Sequence, residues 1–213
     1  MIGIFGGTFD PVHYGHIKPA LSIKQALHLT QLRFVPNRIP PHRELPWLDV
    51  QQRLLLLKSA VQDYPGVVVD ERELKRSGPS YMIDTLASLH SDFPDESLCL
   101  IVGMDAFMGL PGWHRWRQIL DLCHLVVTQR PGFSQTDMAN HMKQADYQFL
   151  AEKITQDVSE LASKDTGVIL LQSVPQLDIS STQIREKLLK GDDVSQWLPE
   201  GIYQKLRGLK NED

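Results

Sequence analysis

The stretch GGTFDPVHYGH, residues 6–16, follows an apolar β-rich run at 1–5 (MIGIF) and leads into an amphipathic helical pattern at 15–28. Gly6 and Gly7 carry no side chain, so an anion or a sugar can approach the backbone closely. Pro11 sets the turn, and His13 and His16 lie three apart at the start of the helix, where such residues share a face. Free N–H groups and the positive end of the helix dipole favour an anion at that place.

Working outward, β-rich runs recur at 32–36, 67–70, 98–102, 124–128 and 168–171, with helical patterns at 49–63, 80–90, 182–190 and 195–206. Short apolar strands separated by helices predict an α/β fold: a Rossmann-like, doubly wound parallel sheet with right-handed crossovers. At 213 residues the chain fits a single domain, 1–213, burying roughly 70% of its unfolded surface. Residues 135–164 are polar, helix-prone and poor in β-branched residues, which predicts a peripheral helical insertion or a flexible surface segment. In such sheets ligands sit at the carboxyl ends of the strands.

The net charge of −4 argues against coating nucleic acid, which runs on clustered Lys and Arg; small anions need only a local basic pocket. Cys99 and Cys123 sit in the apolar runs LCLIV and DLCHLVV and read as buried hydrophobes, without the spacing of a zinc site. No run approaches the roughly 20 apolar residues of a membrane span, and no basic, then apolar leader pattern opens the chain. Buried thiols and these absences make the cytoplasm the expected location.

The chain lacks the GxxxxGK[ST] loop of P-loop NTPases and the GxGxxG fingerprint of dinucleotide-binding folds. The ribose-binding acid of an NAD dehydrogenase is missing too, since the second strand runs into Pro36, Asn37 and Arg38. Hydride transfer is therefore demoted. Taken alone, two His three apart suit a structural pair, a zinc site or a phosphate site, and zinc would need further ligands close by. A neutral imidazole donates a hydrogen bond and a protonated one adds charge, so either form could stabilise charge developing on a pentavalent phosphorus.

Other segments carry chemistry with open alternatives. In ISSTQIR, 179–185, Ser180 and Gln183 have capping-box spacing and Arg185 falls one turn after Ser181. This is either a capped helix with a surface Arg, or a helix N-terminus whose hydroxyls, N–H groups and Arg fork hold phosphates. PNRIPPHR, 36–43, concentrates Arg38, His42 and Arg43 in a loop stiffened by prolines, a solvated basic loop or an anion site. Trp113 in PGWHRW suits half-buried packing or a platform for a flat ring. Asp105 in VGMD suits a helix cap, and Arg130 in TQRPG a surface position before a turn.

GGTFDPVHYGH resembles the signature of the nucleotidyltransferase superfamily with its HxGH-type phosphate motif. The chain is similar to the bacterial nicotinate-nucleotide adenylyltransferases over nearly its full length, through PNRIPPHR, SYMIDTL, VGMD, the Trp113 region, TQRPG and ISSTQIR in matching order. The resemblance weakens over 135–164. It implies the nucleotidyltransferase fold and transfer of AMP from ATP to nicotinate mononucleotide, with Mg²⁺ carried by the ATP phosphates and no protein metal ligand. It assigns His13, His16 and Arg185 to catalysis, and Gly6, Gly7, Thr8, Phe9, Gly103, Asp105, Arg130, Ser180, Ser181 and Thr182 to ATP. Asn37, His42, Arg43, Thr85 and Trp113 fall to the acceptor, Trp113 stacking on the pyridine ring. Arg38 stands where the family often has a second Asn, and Met82 where Thr is common. Rival readings are a nicotinamide, phosphopantetheine or cytidylyl acceptor, and a non-catalytic nucleotide sensor; retention of both His and the Ser-Ser-Thr-Arg set argues against the sensor.

Overall fold

The computed structural model describes residues 1–39, 45–129, 138–139, 141–175 and 177–209. The apolar runs become strands β1 (Ile2–Gly7), β2 (Gln31–Pro36), β3 (Val67–Val69), β4 (Leu98–Gly103) and β5 (His124–Gln129). The glycine pair forms the last two residues of β1, in register with Val35 and Pro36 of β2, because a neighbouring strand extends the ladder that far. Helices α1 (Tyr14–Ala26), α2 (Val50–Val61) and α3 (Met82–Asp92) follow the first three strands, and α4 (Met104–Met108) and α5 (Trp116–Leu122) follow β4.

Between β5 and β7 (Ile169–Ser173) run helix α6 (Gln144–Ala151), the two-residue strand β6 (Ile154–Thr155) and the single turn α7 (Glu160–Ser163). Leu150 and Leu161 anchor α6 and α7 in the core, and β6 pairs parallel to β7. Helix α8 (Ser181–Lys190) starts one residue before the predicted 182–190. The single helix expected at 195–206 is instead a 3₁₀ turn, Ser195–Trp197, then α9 (Ile202–Leu209). Pro199 cannot continue a helical ladder, and Gly201 turns the chain at φ 74°.

Among the described residues the seven strands are all parallel, in the order β3-β2-β1-β4-β5-β7-β6. One face is covered by α1, α2, α8 and α9, around Ile17, Ile23, Leu56, Ile184 and Leu206; the other by α3 to α6, around Leu86, Phe107, Ile119 and Leu150. Cys99 and Cys123 lie one in each layer as free, buried thiols, and burial pushes Cys99 up to about 12. The chain steps outward from β1 to β3 and then returns to β4 on the far side of β1. That reversal leaves a crevice at the carboxyl ends of β1 and β4. Among the described residues no helix is long and apolar enough to cross a membrane.

Candidate active site

At the end of β1 the backbone turns through Phe9, whose φ of 49° is left-handed and uncommon for a bulky residue. Its buried ring holds that turn, packing 5.7 Å from Phe34 and edge-on to His16 at 5.3 Å. Of the predicted ATP contacts Phe9 thus puts its side chain into the core, leaving its backbone at the turn.

His13 caps α1 and His16 lies in the first helical turn, their rings 3.8 Å apart. The His13 backbone N–H donates to His16 Nδ1 at 3.3 Å, so a neutral His16 carries its proton on Nε2. Burial draws the His13 pKa from 6.5 down to about 4, making it neutral at pH 7. Its Nδ1 is buried without a hydrogen-bond partner, an arrangement that native interiors rarely tolerate without a function.

The start of α8 joins the first turn across the whole length of the chain. Ser181 Oγ donates to the Pro11 carbonyl at 3.1 Å, and Arg185 Nη1 donates to the Asp10 carbonyl at 2.7 Å. Ser180 and Gln183 form the predicted capping box: Gln183 N–H donates to Ser180 Oγ at 3.2 Å, and Ser180 N–H to Gln183 Oε1 at 2.8 Å. Thr182 accepts from Arg185 Nη2 at 3.1 Å. Two helix N-termini, α1 and α8, therefore meet at one place with two imidazoles and a guanidinium. Beside them lies a cavity of about 210 Å³, walled by Phe5, Gly15, Pro19, Gly103, Thr128 and Ile179. Gly103 is thus brought to the site, while Asp105, in the first turn of α4, is exposed and outside the cavity wall.

On the other side of β1, Asn37 leaves β2 and its Nδ2 donates to Thr8 Oγ1 at 3.2 Å, while its Oδ1 is buried and unpartnered. The backbone N–H of Arg38 donates to Ser80 Oγ at 3.0 Å, drawing this loop to the start of α3. Thr85 is fully buried, and its hydroxyl donates to Glu73 Oε1 at 2.5 Å and accepts from Arg76 at 3.2 Å. As folded, that hydroxyl is directed to Glu73. Trp113 is half-buried against the second core layer; the neighbouring His114 stacks on Tyr81 at 4.4 Å. Trp116 is buried edge-on to Phe149. The predicted contacts His42, Arg43 and Arg130 lie outside the described residues.

Residues 4–187 match the family described as cytidylyltransferase-like. Two curated proteins, each named "Probable nicotinate-nucleotide adenylyltransferase", are both 46% identical over 205 residues. That of Halorhodospira halophila is covered to 92% of its length, that of Methylococcus capsulatus to 95%, and both alignments take in 96% of this chain. The chain belongs to the nicotinate-nucleotide adenylyltransferases. The fold agrees: a Plasmodium falciparum nicotinic acid mononucleotide adenylyltransferase complexed with NaAD superposes with a TM-score of 0.71 at 15% identity, covering 98% of this chain and 95% of that one.

In this adenylyltransferase three residues matter to the site that sequence reasoning passed over. Gly15 leaves room for the His pair: a Cβ there would lie 2.8 Å from His13 Nδ1 and 3.1 Å from the Ile179 carbonyl oxygen. Arg53 of α2 is 1% exposed and donates to the carbonyl oxygens of Thr8 at 2.7 Å and Asn37 at 2.9 Å, clamping the two turns together. Asp10 accepts the backbone N–H groups of Trp47 at 2.7 Å and Leu48 at 2.9 Å. The signal for Gly15 was present in the motif itself. Arg53 sits in an ordinary amphipathic pattern and gave none.

Proposed function

We propose that this adenylyltransferase transfers AMP from ATP to nicotinate mononucleotide, forming nicotinate adenine dinucleotide and pyrophosphate in the biosynthesis of NAD. The observation that carries the reading is the meeting of the α1 and α8 N-termini around His13, His16 and Arg185, beside a crevice cavity of about 210 Å³. The names of its close relatives support the choice of acceptor.

A phosphate oxygen of the mononucleotide attacks the α-phosphorus of ATP in line, forming a new P–O bond as the bond to the bridging oxygen breaks. Pyrophosphate leaves with the electron pair. A phosphate monoester is already a nucleophile, so no side chain need be activated. His13, neutral through burial, and His16 act as hydrogen-bond donors to the α-phosphate, where charge builds in the transition state. Gly6, Gly7 and the first-turn backbone let the phosphates approach, and Gly103 lets the nucleoside lie in the cavity. The α8 N-terminus, with Ser180, Ser181, Thr182 and Arg185, receives the departing pyrophosphate. Arg185 must then turn from the Asp10 carbonyl toward the phosphates. Asn37 and the loop it opens receive the acceptor phosphate, and Trp113 the pyridine ring.

Mg²⁺ held on the ATP phosphates would neutralise their charge and orient the leaving group. Among the described residues no three His, Cys, Asp or Glu side chains gather as a metal cage, and an ion held through phosphates and water requires none. The buried, unreactive thiols suit a reducing compartment, and the cytoplasm is the proposed location.

The test is pyrophosphate release with ATP and Mg²⁺, comparing nicotinate mononucleotide, nicotinamide mononucleotide and phosphopantetheine. A preference for the first of about tenfold or more in kcat/KM, some 1.4 kcal/mol of transition-state discrimination, is expected. Preference for another acceptor would overturn the assignment.

A further inference from the structure

Strand β5 ends beside the crevice, and its residue Thr128 has no role in the reaction as described above. Thr128 is in register with Gly103 of β4. Side chains alternate along a strand, so both positions face the same side of the sheet as Ile101 and Val126, two residues earlier, in the layer of α1 and α8. Thr128 is 6% exposed and lines the cavity of about 210 Å³. Among the described residues it is the only polar side chain in that wall, beside apolar groups such as Phe5, Pro19 and Ile101. A Cβ built on Gly103 would meet no described atom within 4 Å, so the wall next to Thr128 is open space. At the other end of the cavity Gly15 adjoins His13, since a Cβ there would lie 2.8 Å from its Nδ1. The cavity therefore begins where the His pair ends.

A hydroxyl has one hydrogen to donate and two lone pairs to offer. Thr128 Oγ1 donates its hydrogen to the Val102 carbonyl oxygen at 3.3 Å, which leaves lone pairs for the cavity. A flat, apolar space with one acceptor on its wall suits a nucleobase that carries an amino group on its edge. A 6-oxo purine brings an acceptor instead. Either two acceptors then face each other away from water, or the hydroxyl turns from Val102 and that buried carbonyl loses a partner. Both arrangements cost binding energy, because a buried polar group is left unpaired.

We propose that Thr128 is a specificity-determining residue for the nucleotide base: its hydroxyl accepts from the amino group of a 6-amino purine and disfavours a 6-oxo purine. The proposal rests on the reading that the nucleoside of ATP lies in this cavity.

The test measures the Kd of ATP and of inosine triphosphate for the whole protein, with Mg²⁺ and without acceptor, so that no turnover intervenes. Wild type should bind ATP about tenfold or more tighter, and Thr128→Val, which keeps the branched shape and removes the hydroxyl, should narrow that ratio about fivefold or more. Thr128→Ser restores a hydroxyl and should keep the wild-type ratio. A merely structural role would weaken both nucleotides alike and leave the ratio unchanged; that result in a folded Thr128→Val protein overturns the proposal. Equal Kd values for wild type overturn it without any variant, and Thr128→Ala replaces Thr128→Val should the latter fail to fold. Neither Kd involves the acceptor, so rejection of nicotinate mononucleotide as a substrate leaves the role of Thr128 standing. Turnover of nicotinate mononucleotide with an unchanged ratio sinks only the inference, whereas failure to bind ATP at all overturns both.

Discussion

The hydroxyl of Ser181 donates to the carbonyl oxygen of Pro11, 170 positions earlier in the chain, at 3.1 Å. This bond seats the N-terminus of α8 on the turn that opens α1. Two positive helix ends would repel one another in isolation, and here they are held together by donors satisfied within the protein. A polyphosphate that bridges them gains from both dipoles at once.

Replacing His16 by Ala removes a donor aimed at developing charge. The Nε2–H tautomer set by the His13 N–H is the form that can donate. We expect kcat to fall by about 10² or more, with Tm within a few degrees of wild type. Initial rates at saturating ATP and a thermal melt check this; an almost unchanged kcat removes His16 from the mechanism.

Gly15→Ala should act through His13. The added Cβ would stand 2.8 Å from its Nδ1 and 2.9 Å from its Cε1, with the Ile179 carbonyl closing the other side at 3.1 Å. The ring must shift, and a misplaced catalytic group can cost up to about 10² in rate. A kcat reduced about tenfold or more is expected; full activity would show that the His pair tolerates displacement.

Acid should destabilise the protein partly through His13. Its folded pKa of about 4 lies below the unfolded 6.5, so the unfolded chain binds the extra proton first. Stability from this group is complete above about pH 6.5 and is lost as pH falls from there toward 4. His13→Asn should therefore lose about 2 to 3 kcal/mol less than wild type between pH 7 and 4.5. Urea denaturation at several pH values measures it, and parallel curves would refute the assignment.

Arg53→Met keeps the length of a buried side chain and removes both of its bonds to the Thr8 and Asn37 carbonyls. Each acceptor left unpaired costs about 1–3 kcal/mol, so a loss of roughly 2–6 kcal/mol is expected. The urea midpoint should fall at constant slope. A midpoint within error of wild type would mean that water replaces the guanidinium.

The parallel α/β class was legible because apolar runs such as 98–102 and 124–128 are too short for helices and too apolar for exposed strands. The capping box at Ser180 and Gln183 was legible for the same local reason, since both partners lie within one turn. The break at Pro199 and Gly201 was missed although both residues are strong punctuation, because Ile202 and Leu206 prolong the apolar period across it. Strand β6, only two residues long, has too little pattern to register.

By itself the sequence determined the strand and helix periods, the His spacing and the capped start of α8, all set by interactions spanning a few residues. Only the tertiary structure decided that His13 is buried and neutral, that Thr85 turns its hydroxyl to Glu73, and that Arg53 and Asp10 tie the acceptor loop to the first turn. Burial and hydrogen-bond partners 12 to 45 positions apart depend on how the layers close over the sheet. Local pattern carries no trace of that closure.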